Sequence, residues 1–243
     1  MELAPIIVFG FNRPKALMNT INSLLTNKEA KDSDLYVFID GARPEKEGES
    51  NQVKAVQEYV KSIEGFKKIS YSFSSKNKGL ASSIIDGINS VIYEYGKAIV
   101  VEDDLELMPN FLSFMNQGLI FYENKKDVMS ICGHSCKVKV PLDYSYDAYF
   151  FTRSSSWGWG TWSNRWSSVD WYLKDWDSVE RNKKAFIKSQ GSDVFKMLKD
   201  WKNGENNSWA IRFCYAQFVQ NKLSVIPNIS LVDNKGFKGD GTN

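Results

Sequence analysis

Through the first half of the chain, short unbroken apolar runs alternate with stretches in which apolar residues recur at helical spacing. Residues 5–11 read Pro-Ile-Ile-Val-Phe-Gly-Phe, the near-continuous apolar run expected of a strand covered on both faces. Residues 15–25 then place Leu17, Ile21, Leu24 and Leu25 on one face of a helix. A second strand is expected over 35–39. A polar loop and a helix follow over 45–65, with Val53, Val56, Tyr59, Val60 and Ile63 inward. Residues 69–73 alternate as a third strand, 81–95 form a third helix, and 98–101 a buried fourth strand bounded by Gly96. This repeated strand–helix order predicts a parallel sheet with right-handed crossovers.

Beyond residue 110 the rhythm changes. A helix is expected over 111–122, a strand over 128–132 and an antiparallel strand over 149–152. A charged amphipathic helix or helix pair follows over 179–201 and a turn over 203–207. A helix over 208–221 has Ile211, Tyr215 and Phe218 inward, a strand spans 223–227, and the tail over 235–243 is Gly-rich. Residues 157–162, Trp-Gly-Trp-Gly-Thr-Trp, read as a flexible loop. Such flat aromatic faces stack on sugar rings as readily as they fill a core. Most of the eight Trp are assigned to the core and one or two to a site.

Candidate chemistry gathers at the strand ends. The fourth strand delivers Glu102-Asp103-Asp104, and three adjacent carboxylates repel unless a cation or hydrogen-bond donors compensate them. In open α/β sheets the C-terminal strand edge is where ligands bind. Hard oxygen ligands favour Mg²⁺ or Mn²⁺, which typically bridge to phosphate. The plainer alternative is an acidic loop capping the helix that Pro109 opens. Arg13 follows the first strand and Asp40 the second, so three strand ends carry charge. That is more than capping requires and points to a nucleotide-type site. Neither GxGxxG after the first strand nor GxxxxGK[ST] occurs, which counts against a dinucleotide dehydrogenase and a P-loop enzyme.

Composition narrows this further. At 243 residues with 42% hydrophobic and 25% charged residues, the chain is an ordinary globular protein, and it reads as one domain over 1–243. A net charge of +2 gives no electrostatic grip on nucleic acid. No apolar run reaches the roughly 18 residues that span a bilayer. The start, Met1-Glu2-Leu3-Ala4-Pro5, lacks a basic leader region. Three sparse cysteines fit a reducing compartment, so a cytoplasmic location is expected. Cys132, His134 and Cys136 lack a fourth ligand at a familiar zinc spacing.

At Val100-Val101-Glu102-Asp103-Asp104-Leu105-Glu106 the chain resembles glycosyltransferases of the GT-A fold, nearest the N-acetylglucosaminyltransferase I type and its bacterial family 2 relatives. The likeness continues in order through Phe11-Asn12-Arg13, Asp40-Gly41, Asn77-Lys78-Gly79-Leu80, the Trp-Gly-Trp-Gly-Thr-Trp stretch and Ser208-Trp209-Ala210-Ile211-Arg212. It implies an α/β, Rossmann-like GT-A domain with a mixed, mostly parallel sheet. Residues 1–110 would bind the nucleotide sugar and 111–243 form the acceptor side. Asp40 would read the uracil edge, Arg13 face the diphosphate, and Phe11 and Lys78 lie beside the donor. Glu102 and Asp103 would hold ribose and sugar hydroxyls, with Asp104 the ligand of Mn²⁺ or Mg²⁺. Trp157, Trp159 and Asn207 would face the acceptor.

The implied reaction is metal-dependent, inverting transfer of a hexose or N-acetylhexosamine from a UDP-sugar to a glycan or lipid-linked saccharide. A lipid-linked acceptor would bring peripheral contact with the inner face of a membrane. Two departures stand out. Asn206-Asn207 replaces an acid that relatives carry, leaving Glu205 as the candidate catalytic base. Asp240-Gly241-Thr242-Asn243 replaces a Gly-Ser-Gly-Thr-His ending. The alternatives are a decayed scaffold that binds glycans, and a sugar nucleotidyltransferase, against which the single Gly in residues 9–13 argues.

Overall fold

The computed structural model describes residues 2–136, 141 and 143–236. The elements are β1 (Ile6–Gly10), α1 (Pro14–Leu25), β2 (Asp34–Ile39), α2 (Glu49–Lys61), β3 (Lys68–Phe73), α3 (Leu80–Tyr95), β4 (Lys97–Glu102), β5 (Leu105–Leu107), α4 (Phe111–Phe121), β6 (Val128–Cys132), β7 (Ala148–Phe151), β8 (Trp159–Trp162), α5 (Ser163–Trp166), α6 (Trp176–Arg181), α7 (Lys183–Gln190), α8 (Ser192–Lys202), α9 (Trp209–Val219), β9 (Leu223–Pro227) and β10 (Val232–Asn234).

Eight strands form one sheet in the order β3-β2-β1-β4-β8-β6-β9-β7. β3, β2, β1 and β4 are parallel. β8 runs against both β4 and β6, so β6 and β9 regain the first direction, and β7 opposes β9 at the edge. Six strands therefore point the same way, the mostly parallel sheet of the GT-A fold. β5 and β10 pair separately as a short antiparallel ribbon.

Alternation along the strands builds two cores. Ile6, Val8, Ile99 and Val101 face α1, α2 and α4, while Ile7, Phe9, Ala98 and Val100 face α3 and α9. A third cluster, around Val179, Phe186, Phe195 and Leu198, packs α6, α7 and α8 onto α9. Pro14 opens α1, where its missing N–H is no loss. Gly96 ends α3 at φ +74°, donating to the Ile92 carbonyl. Among the described residues no helix is long and apolar enough to cross a membrane.

Two expectations need correction, and two short strands carried no sequence signal. The 157–162 stretch is not a loop along its length: Trp159–Trp162 is β8, hydrogen-bonded between β4 and β6. Trp159 is 1% exposed on one face of the sheet and Trp162 2% on the other. Gly160 serves close approach, since a Cβ there would lie 2.9 Å from the Ala98 carbonyl oxygen and 3.2 Å from Leu119 and Met115. The 179–201 stretch is three helices rather than one or two, broken at Gly191, whose φ is +104°. β5 and β10, three residues each, are too short for a period-2 signal to show. The Asp240–Asn243 departure lies outside the described residues.

Candidate functional site

β1, β2 and β4 are adjacent and parallel, so the residues after them meet at one edge. Arg13 precedes the first turn of α1 and turns back to β4. Its guanidinium pairs with Asp103 and reaches Asp104 Oδ2 at 3.2 Å. Burial works against the Arg13 charge, but the two carboxylates outweigh it and raise its pKa. Asp103 is 95% buried at its side chain and its Oδ2 has no hydrogen-bond partner. Burial pushes its carboxyl up against the pull of Arg13. Glu102, in register with Phe9, is pushed up to about 8, by burial first and then by the charges of Asp104 and Asp103.

The β5–β10 ribbon brings the C-terminal segment onto this acid cluster. Asn234 pairs with Leu105, and the Lys235 N–H donates to the Asp104 carbonyl at 2.9 Å. Lys235 Nζ bridges Glu106 at 2.8 Å and Asp233. Gly236 lies so close that a Cβ there would stand 2.3 Å from Asp104 Oδ2. This contact follows from ribbon register and has no sequence signal.

Asp40, 8% exposed, accepts from the backbone N–H groups of Gly41, Lys78 and Gly79, at 2.9 Å each at closest approach. Each of its oxygens takes two such contacts, with Lys78 N shared between them, which fills its four lone-pair sites. Asp40 thus ties residues 77–79 and the start of α3 to the end of β2. Asn77 adds a bond from its side chain to the Gly41 carbonyl at 2.8 Å. The Lys78 ammonium points along α3 to Asp86 at 3.2 Å. Phe11 is half-buried, with the Arg43 guanidinium 5.5 Å from its ring centroid. Arg43 is held by Glu49, which also accepts from Asn12 at 3.2 Å. Sequence reasoning passed over Arg43 and Glu49 because their pairing spans the loop ahead of α2.

Of the residues expected to face an acceptor, Trp157 is half-buried and meets His134 edge-on at 4.3 Å. Burial lowers the pKa of His134. Trp159 is no free platform: its ring stacks on Trp209 at 5.0 Å and 23° inside the core. Asn207 accepts weakly from Arg212 at 3.4 Å. Glu205 is exposed on the turn after α8, its N–H bonded to the Asp200 carbonyl. α9 connects directly into β9, so the helix runs against that strand and its first residue lies toward the strand edge that carries Arg13 and Asp104.

A groove of about 1160 Å³ opens beside Arg13 and Asp104 and runs between α1 and the Leu105–Pro109 stretch. Among the described residues no three His, Cys, Asp or Glu side chains converge as a metal-binding set. The Asp104 carboxylate beside Arg13 is a hard oxygen donor that suits a cation drawing its remaining ligands from phosphate and water.

The GNT-I family model matches residues 1–192. No curated protein matches the chain. Among solved structures, S. aureus TarS 1-349 aligns at 10% identity over 96% of this chain and 60% of that one, with a TM-score of 0.52. A mannosyltransferase from Pyrobaculum calidifontis, PcManGT in complex with GDP-Man and Mn²⁺, aligns at 12% identity over 66% of this chain and 44% of that one, with a TM-score of 0.45. This chain therefore spans less than two thirds of either structure's length. With the family model covering most of its length and the GT-A sheet in place, the chain belongs to the GNT-I family.

Proposed function

We propose that this chain is an inverting glycosyltransferase that moves a hexose or N-acetylhexosamine from a UDP-sugar to a glycan or lipid-linked saccharide. The observation that carries the reading is the Arg13–Asp103–Asp104 constellation at the ends of parallel β1 and β4, in a chain of the GNT-I family. A departing nucleoside diphosphate gains negative charge, and preorganised positive charge aimed at it is where electrostatic stabilisation contributes most. Arg13 supplies a guanidinium whose planar fork matches phosphate oxygens. Asp104 would hold Mg²⁺ or Mn²⁺, which when bound neutralises diphosphate charge as a Lewis acid.

The Asp103 oxygen without a partner accepts a ribose or sugar hydroxyl, and Glu102 a second one. Asp40 shapes the base site through the 77–79 loop that it fastens. Glu205, on the turn ahead of α9, is the carboxylate that takes the acceptor hydroxyl's proton.

Calorimetry with UDP, with and without Mn²⁺, tests the donor site. The parent binds UDP in a metal-dependent way and Asp104→Ala loses that dependence while keeping its circular dichroism. Unchanged UDP–Mn²⁺ affinity in the variant sinks the assignment. A hydrolysis screen of UDP-, GDP- and dTDP-sugars then separates transferase from decayed scaffold, because a scaffold hydrolyses none of them.

A further inference from the structure

The transferase reading above, on which this inference rests, lays the base at the end of β2 and the diphosphate beyond β1 and β4, beside Arg13 and Asp104. Along the sheet edge the next strands are β8, which starts there, and β6, which ends there. Each is reached at roughly 5 Å per strand. The sugar hangs from the diphosphate at the end away from the base, so it falls on the β8–β6 side.

Strand register shows which side chains stand there. Trp159 lies opposite Val100 on one side and Cys132 on the other. Two residues further on, Glu102 and His134 are therefore level, two strand spacings or roughly 10 Å apart. The Gly133 N–H donates to the Gly158 carbonyl at 2.6 Å, which carries the pairing past the end of β6. Both side chains lie on the α3–α9 side of the sheet. Glu102 is in register with Phe9, which belongs to that core. Ser155 fixes the side of His134. Its N–H donates to Cys132 Sγ at 3.3 Å, within the same core, and its Oγ stands 3.4 Å from His134 Nδ1. Trp209 of α9 packs into this core as well, so the turn that carries Glu205 approaches from the same side.

His134 is the single histidine of the chain and is half-buried, with Trp157 edge-on at 4.3 Å. Its Nε2 makes no hydrogen bond among the described residues. A neutral imidazole, which burial favours here, has one donor and one acceptor, the complement of a hydroxyl. Indole faces suit the C–H face of a sugar ring, and Trp157 supplies one beside the imidazole.

We infer that His134 binds a hydroxyl of the sugar being transferred, across the ring from Glu102, and so decides which UDP-sugar the protein accepts.

As the single histidine, His134 gives one imidazole spin system in untagged protein labelled with ¹³C,¹⁵N-histidine and uniformly with ¹⁵N. The probes, each with Mg²⁺, are UDP, UDP-glucose, UDP-galactose and UDP-N-acetylglucosamine. At least one UDP-sugar is expected to shift the ring signals, whereas UDP moves only backbone amides near Arg13 and Asp104. His134→Ala should bind that UDP-sugar about tenfold more weakly, the loss of one hydrogen bond, at unchanged UDP affinity. His134→Gln, which keeps a donor and an acceptor, should recover part of the loss. An equal ring shift by UDP assigns His134 to the nucleotide and overturns the inference. So do UDP-sugars that bind without moving the ring, and an alanine variant that loses UDP and UDP-sugar alike, which marks a structural role. If no probe moves the amides near Arg13 and Asp104, the donor site itself fails and the inference falls with it. If UDP moves them, the donor site stands whatever His134 does.

Discussion

Glu102 carries a consequence that no contact list conveys. Its carboxyl has an ordinary pKa of 4.5 that the fold raises to about 8, with burial as the first cause. A raised carboxyl favours folding while protonated, so its contribution is fully present below pH 4.5 and is lost as pH rises through 8. In metal-free protein, urea unfolding at pH 5 and pH 9 should show the parent losing about 3 kcal/mol more than Glu102→Gln, after allowance for solvent screening. Equal losses in the two proteins would mean that Glu102 is already charged at pH 5. The acid cluster itself was legible, because adjacent carboxylates after a buried run show in the sequence. What Asp40 does was not, because its partners are the backbone N–H groups of Gly41, Lys78 and Gly79, which a sequence does not display. Gly236 was equally silent, since its contact with Asp104 depends on the pairing of two three-residue strands.

Among elements, β1 to β4 and α1 to α3 were readable because each run is long and keeps one period. β6 and β9 match the residues expected, and β2, α1 and α3 begin one residue early. β8 was misread for a physical reason: Gly between large aromatics signals backbone freedom or close approach, and the sequence does not distinguish them. The structure selects close approach at Gly160. Gly160→Ala should therefore destabilise the protein by about 2 kcal/mol, as overpacking a central strand does, read as a lower urea midpoint at unchanged slope. A midpoint within experimental error of the parent would mean that β4 and β8 can part without cost.

For the molecule as a whole, β8 is the element that ties the two halves together. It comes from beyond residue 110 yet bonds to β4 along Lys97–Val100, so neither half has a closed sheet edge without the other. The described residues are accordingly expected to unfold in one step. The same strand belongs to an aromatic mass in which Trp159 touches Trp166, Trp209 and Phe213 with centroids 5.0–5.9 Å apart. All eight Trp fall between residues 157 and 209, and none precedes them. Every indole therefore sits in the second half, although Trp166 Nε1 also donates to Asn89 Oδ1 of α3 at 2.8 Å, and β1 to β4 and α1 to α3 contribute no emitter of their own. Thermal melts followed by indole fluorescence and by far-ultraviolet dichroism should coincide. If fluorescence changes first, the second half loosens while β1 to β4 and α1 to α3 stay folded, and the protein's own chromophores mark the boundary.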